Sequence, residues 1–488
     1  KAGASAELAQ DMSVESAHLW NGLSDPYLYK LVVELKDSAG FPIDKVVQDF
    51  GIRTMSFDAN TGFYLNGKSY PLHGVNMHQD ALGKAWAITP ADTDEKLDVI
   101  KEIGANTLRL AHYPHDQYTL QQADKRGLVV WAEHPFVDKN VLDCKTTTGP
   151  TAEFKANQNL QLKELIRQQF NHASIGMWSI ANEVGWEKTC NGVDYITPML
   201  KELHTLSKQE DPSRVTTLAD VADPAGFTAW PALPTSGVTD IWAINRYYLW
   251  YNDYYSVAPF EAELEAKHKA YPSQPMGVSE YGAGAAISHQ TDNALGGKPG
   301  NWYMGQMSVM YQPEGYAAWV HEQNYSVMAS KPYIWGTYVW NMFDFGSGIR
   351  NEGDIRGVNT KGLVTFDHKT KKDPFYFYKA NWSKEPVTHI TGKRYTDRAY
   401  QYADVKVYSN ADSVTLKVNG NAVATKTAAQ CAWKTCMFPN VKLSAGTNSI
   451  VAEGSHAGKA AVDTASWNLS ADNAANVYIA AGQVTTGF

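Results

Sequence analysis

The chain has 488 residues, more than one compact core ordinarily holds, so two or three domains are expected, one of them large enough to be a barrel. A net charge of −8 with no long basic run argues against a nucleic-acid partner, since phosphate binding needs clustered Lys and Arg. No apolar run reaches the roughly 18 residues of a membrane span, so a soluble chain with no membrane partner is expected.

Residues 27–35, "YLYKLVVEL", and 45–58, "KVVQDFGIRTMSFD", run apolar or alternate as strands do, with Gly40 and Pro42 between them, and read as a hairpin. So few strands make no stable domain alone, so residues 1–60 are expected to be the C-terminal part of an immunoglobulin-like β-sandwich whose beginning is absent. From about residue 63 short apolar runs alternate with helical stretches. The runs are 70–75, 107–111, 128–132, 175–180, 215–219, 241–245, 276–280 and 334–340. Between the first two lies a helix over 92–103, with Asp92, Asp94 and Glu95 at its start, Leu97, Ile100 and Ile103 on one face, and Gly104 as its stop. Eight strand–helix units predict a central (β/α)8 TIM barrel over 61–385, with function at the strands' C-terminal ends. Within it "HKTKK" (368–372) is the densest basic stretch and reads as a solvated loop. Beyond residue 385 the helices stop, period-two alternation begins, and Asn419-Gly420 signals a hairpin. A C-terminal immunoglobulin-like β-sandwich over 386–488 is expected.

Four cysteines, Cys144, Cys190, Cys431 and Cys436, are too few and too irregular for a zinc ribbon. The even count, with Asn-X-Ser sequons at Asn324, Asn381 and Asn468, leans toward a secreted or periplasmic location. The chain opens at Lys1 without a signal-type apolar core, as a processed chain or a fragment would.

On a barrel, polar residues at strand ends are the functional candidates. The second run leads into Arg109, His112 and Tyr113; the fourth ends in Asn182 and Glu183; the sixth in Asn245, Arg246 and Tyr247; the seventh in Glu280 and Tyr281; the eighth in Trp340 and Asn341. Two carboxylates from different strands, with a cation, amides and aromatics around them, are the equipment of glycoside hydrolysis. Arg109 would hold one carboxylate charged, and apolar neighbours such as Trp186 would keep the other protonated. The aromatic content, 12% with 15 Trp and 27 Tyr, supplies platforms for sugar rings as well as core.

"GVNMHQD", "RLAHYP", "IRQQFNHASIGMWSIANE", "VSEYGAG" and "KGLVTFDHKTKKDPFYFYKANW" resemble glycoside hydrolase family 2, most closely its bacterial-type β-galactosidases. The resemblance implies Glu183 as acid/base and Glu280 as nucleophile of a retaining mechanism, with carboxyl groups about 5 to 5.5 Å apart. It further implies Asn182 on the sugar 2-hydroxyl, His78 and His112 touching the sugar, Tyr247 near the nucleophile and Trp340 as a sugar-facing platform. "NTKG" resembles the pair with which β-glucuronidases hold the substrate carboxylate, here Asn359 and Lys361. Galactosidase-like sequences also carry N-X-K-G before "LVTFD", so an exo-acting β-galactosidase is expected first and a β-glucuronidase second. Glu133 and His134 do not fall at the spacing of the family's magnesium ligands, so no metal and no cofactor are expected. The jelly-roll domain that normally opens family members is absent, which implies either a companion N-terminal fragment or a silent carbohydrate-binding protein. A homo-oligomer is a further expectation.

Overall fold

The computed structural model describes residues 5–137, 150–184, 193–220, 235–251, 256–293, 311–350 and 352–473, with Gly3 and short backbone stretches at 189–190, 478–479 and 485–486. Its centre is a closed parallel barrel of eight strands: β1 (Leu72–Met77), β2 (Thr107–Leu110), β3 (Val129–Glu133), β4 (Ile175–Asn182), β5 (Val215–Asp220), β6 (Trp242–Asn245), β7 (Met276–Tyr281) and β8 (Ile334–Val339). They pair in the cyclic order β5-β6-β7-β8-β1-β2-β3-β4. Each corresponds to one of the eight apolar runs, because a strand covered by helices outside and packed side chains inside is apolar on both faces.

The described helices are α1 (Pro90–Ile103), α2 (Gln117–Arg126), α3 (Ala152–Gln169), α4 (Ile196–Glu210), α5 (Ala258–Ala270), α6 (Glu314–Ala329) and α7 (Asp373–Trp382). Helix α1 begins at a capping box in which Thr89 and Asp92 satisfy each other's backbone N–H. It ends at Gly104, φ 89°, where a Cβ would overlap the backbone of Trp382 and Ser383 at the end of α7. Leu97, Ile100 and Ile103 are fully buried against the barrel.

The barrel floor is plugged from below. Strands Met55–Asp58, Gly62–Leu65 and Lys68–Ser69 form a small sheet whose Phe63 and Leu65 join Trp20, Trp131, Trp335 and Tyr338 in one buried cluster. Arg53 ties the same segment to β4 by donating to the carbonyls of Ala173 and Ile175, 2.8 Å each. The hairpin Tyr29–Lys36 with Pro42–Phe50 precedes it.

After α7 the chain forms a β-sandwich. A three-stranded sheet (Thr388–Ile390, Tyr402–Ser409, Thr435–Lys442) faces a five-stranded one containing Ser413–Val418, Asn421–Thr427, Gly446–His456 and Lys459–Leu469. Asn419 and Gly420 turn the expected hairpin with positive φ at both residues, 52° and 82°. Cys431 and Cys436 form a disulfide beside it; the Cys144 and Cys190 side chains lie outside the described residues.

Two expectations need correction. The Asn324 sequon is no glycan acceptor: its side chain is fully buried and donates to the carbonyls of Tyr248 and Val320. The basic stretch is a solvated loop only in part: Lys369 is exposed, but Lys371 pairs with Glu102 on α1 and Lys372 is fully buried on Asp344, 2.7 Å away.

Candidate active site

The strand ends converge on one buried cation. Arg109, at the end of β2, is completely buried and uses every face of its guanidinium. Nε and Nη2 donate to the two oxygens of Glu133 on β3 at 2.9 and 2.8 Å. Nη1 donates to Asn76 Oδ1 on β1 at 3.0 Å and to Glu280 Oε1 on β7 at 2.7 Å, and Nη2 donates to Asn182 Oδ1 on β4 at 2.7 Å. Neighbouring-strand register makes this possible, because Asn76 pairs with Arg109 and Arg109 with Trp131, two residues before Glu133.

Glu133 is the anion that makes the buried cation tolerable. Burial pushes its carboxyl up, but the Arg109 charge and a bond from His112 outweigh burial and hold it at about 2. All its partners are donors: Arg109, His112 Nδ1 at 2.8 Å, Trp131 Nε1 at 3.0 Å and Ser179 Oγ at 3.0 Å. Because a carboxylate only accepts, His112 presents Nδ1–H to Glu133, which directs its Nε2 toward Glu280 Oε1, 3.9 Å away.

Glu280 receives a donor on each oxygen, Arg109 on one and the Tyr247 hydroxyl on the other, 2.7 Å each. Glu183 follows β4 in a left-handed conformation, φ 53°, which costs a non-glycine residue on the order of 1 kcal/mol. Its N–H is held by Ala219 O of β5 at 2.8 Å, and its carboxylate accepts from Asn245 Nδ2 at 2.9 Å. Asn245 in turn pairs with Glu280 across β6 and β7, so one residue links the surroundings of both carboxylates. Tyr247 feels both as well: burial first, then the charges of Glu280, Tyr251 and Glu183, hold its phenol well above the ordinary range.

The remaining candidates line this centre. Asn182 Oδ1 accepts from Arg109 and, at 3.3 Å, from Asn245, which orients the amide and leaves its NH2 without a partner among the described residues. Trp340 stacks on His112 with ring centres 4.9 Å apart, and His78 packs against both. Burial, then the charges of His112, His115, Lys96 and Arg109, keep His78 neutral. Asn359 caps its own turn by accepting from the Lys361 N–H at 3.1 Å. The Lys361 ammonium is 1% exposed and has no hydrogen-bond partner among the described residues. Glu352 Oε1 is 3.8 Å from it, and the rings of Tyr251 and Trp250 lie 5.0 and 5.5 Å away. Tyr251 contacts Tyr247, the donor to Glu280, at 5.0 Å between ring centres. The Lys361 turn is clamped: Lys372 donates to Thr360 O at 3.0 Å, and Asp344, its ion-pair partner, accepts the Gly362 N–H at 2.8 Å.

Some strand-end candidates turn away. Arg246 pairs with Glu263 on α5 at 2.7 Å, and Tyr281 packs against His321 and Tyr378 behind the barrel wall. Trp186 lies outside the described residues. Residues missed by sequence reasoning include Asn76, Glu352 with its ion-pair partner Arg350 at 3.3 Å, and the partnership of Glu133 with Arg109. His134 is spent on Gln158, 2.6 Å away. Among the described residues no three His, Cys, Asp or Glu side chains form a metal-binding group.

Residues 59–384 match the family described as "Glycosyl hydrolases family 2, TIM barrel domain", and residues 1–53 match "Glycosyl hydrolases family 2". Residues 401–462 match a domain of unknown function. A β-glucuronidase of Bacteroides fragilis is 40% identical over 444 residues, covering 90% of this chain and 59% of the relative. A solved structure from Bacteroides fragilis, provisionally named a β-galactosidase, superposes with TM-score 0.82 at 37% identity, covering 93% of this chain and 63% of that one. An FMN-binding β-glucuronidase from Faecalibacterium prausnitzii gives TM-score 0.81 at 34% identity, covering 95% and 65%. Bacteroides uniformis β-glucuronidase 2, solved covalently bound to cyclophellitol-6-carboxylate aziridine, gives 0.78 at 29% identity, covering 93% and 52%. The chain thus spans 52 to 65% of the length of these relatives.

Proposed function

The chain belongs to glycoside hydrolase family 2, and from that premise we propose that it hydrolyses terminal β-D-glucuronides with retention of configuration. Glu280 attacks the anomeric carbon while protonated Glu183 gives its proton to the departing oxygen, so the glycosidic bond breaks as the glycosyl–carboxylate bond forms. Glu183 then takes a proton from water, whose oxygen displaces Glu280 and restores both residues. Arg109 and Tyr247 orient the Glu280 oxygens, and the free NH2 of Asn182 suits the sugar 2-hydroxyl.

One observation carries the choice of glucuronide over the galactoside that the sequence placed first. Lys361 is a buried ammonium with no hydrogen-bond acceptor among the described residues, on the side of the site reached through Tyr251 and Tyr247. Its one counter-charge among the described residues, Glu352, stands off at 3.8 Å, and an ammonium buried with so little compensation costs several kcal/mol, which a substrate carboxylate offsets and a neutral hydroxymethyl group does not. The names of the β-glucuronidase relatives support the same reading.

The test is a side-by-side assay of nitrophenyl β-D-glucuronide and β-D-galactoside. The glucuronide is expected to be the better substrate, and Lys361→Ala to lower its kcat/KM by about 100-fold while sparing any galactoside activity. A wild type that prefers the galactoside, or a preference that survives Lys361→Ala, overturns the assignment. Carbohydrate binding without turnover of either would favour the silent binding protein instead.

A further inference from the structure

Between β1 and α1 the chain makes a tight turn at residues 81–87 that the chemistry described above leaves unused. Ala81 and Ala85 bridge each other, Lys84 N–H bonds back to Ala81 O, and Ala87 N–H to Lys84 O. The turn's only charge is neutralised, since Lys84 Nζ reaches both oxygens of Asp92 at 2.6 and 2.9 Å at the start of α1. Beside the paired Lys84, what this anchored turn shows to solvent is apolar: Trp86 is 61% exposed and Leu82 50%. Solvating a large indole on a fixed turn has no structural return, and a second observation ties it to the site. The Trp86 ring lies 4.5 Å from that of Tyr113, whose hydroxyl sits 3.0 Å from His78 Nδ1. His78 packs against His112 and Trp340, and His112 Nε2 is 3.9 Å from Glu280. A continuous series of rings therefore runs from the nucleophile to an exposed tryptophan at the mouth.

We propose that Trp86, with Leu82 on the same turn, is the leaving-group subsite and takes aglycones that are flat and apolar, aromatic alcohols in particular. This rests on the glycosidase reading above and deepens it. A planar ring leaving the anomeric oxygen finds an indole face and an isobutyl group, and no unpaired charge on the turn to favour a second acidic sugar.

The experiment measures binding of phenyl and methyl 1-thio-β-D-glycosides, which are not turned over, by calorimetry on the whole chain, with both the glucuronide and the galactoside pair. In wild type the phenyl compound is expected to bind more tightly than the methyl. Trp86→Ala is expected to weaken the phenyl compound by about tenfold and leave the methyl compound unchanged, and Trp86→Phe to restore most of the loss. Unequal binding of phenyl and methyl galactosides with no glucuronide binding would refute the substrate assignment and keep the subsite. Equal loss for phenyl and methyl compounds, no loss for either, or no binding by the wild type overturns the subsite.

Discussion

The Glu133–Arg109 pair sets a testable magnitude. The folded chain holds the Glu133 carboxyl at about 2 against an ordinary 4.5, burial raising it and Arg109 and His112 prevailing. A displacement of that size is worth about 3 kcal/mol at neutral pH. Glu133→Gln keeps the shape but cannot keep the bonds. Both carboxylate oxygens face only donors, with Arg109 and His112 on one and Arg109, Trp131 and Ser179 on the other. The amide NH2 must oppose one of those sets, and Arg109 is left buried with too little counter-charge. The expected loss is about 3 to 5 kcal/mol, a fall in Tm of roughly 5 °C at pH 7 for a barrel of this size. The pH dependence has a fixed sign. A carboxylate with a depressed folded pKa contributes its full stability above its unfolded value and loses it as pH falls toward the folded one. The gap between wild type and variant should therefore be constant from about pH 8 to 5 and narrow below about 4.5. Thermal unfolding across that range is the assay. A variant melting within about 1 °C of wild type at pH 7, or a gap that narrows as pH rises, would refute the reasoning.

Glu280→Gln should abolish turnover of every glycoside, whereas Glu183→Gln should cost about 10²- to 10⁴-fold on methyl glycosides and less on nitrophenyl ones, whose leaving group needs little protonation; kcat for the two aglycones separates the roles. At Gly362 an added Cβ would overlap the backbone of Phe343 and Asp344, so Gly362→Ala should displace the Lys361 turn and raise KM for a glucuronide about tenfold or more, read by steady-state kinetics. Replacing Cys431 and Cys436 together by Ser removes a cross-link five residues apart and should cost about 2 kcal/mol, visible as earlier unfolding of the C-terminal sandwich with unchanged kcat.

The barrel was legible because its signal is local and repeated. Each strand is a short run that must be apolar on both faces, and the polar residue ending it marks the C-terminal mouth without knowledge of its neighbours. That is why Glu183 and Glu280 could be named as candidates from "SIANE" and "VSEYG". What stayed illegible depends on lateral register and on burial. Glu133 ends its strand like the others, but its meaning is the cation one strand away, brought alongside by the pairing of Arg109 with Trp131. Arg246 and Tyr281 look equivalent to Asn245 and Glu280 in sequence, and the alternation of a strand sends them to the helix side instead. Lys361 is the sharpest case. As letters, a lysine beside a glycine in a loop reads equally as a solvated charge or as a ligand group. Its meaning comes from three facts no local pattern contains: the ammonium is buried, it lacks an acceptor among the described residues, and Asp344 and Lys372 pin the peptide bonds on either side of it. An ammonium held that firmly, with Glu352 3.8 Å away and no hydrogen-bond acceptor among the described residues, is better explained by a charge that arrives with the substrate than by one the fold forgot to supply.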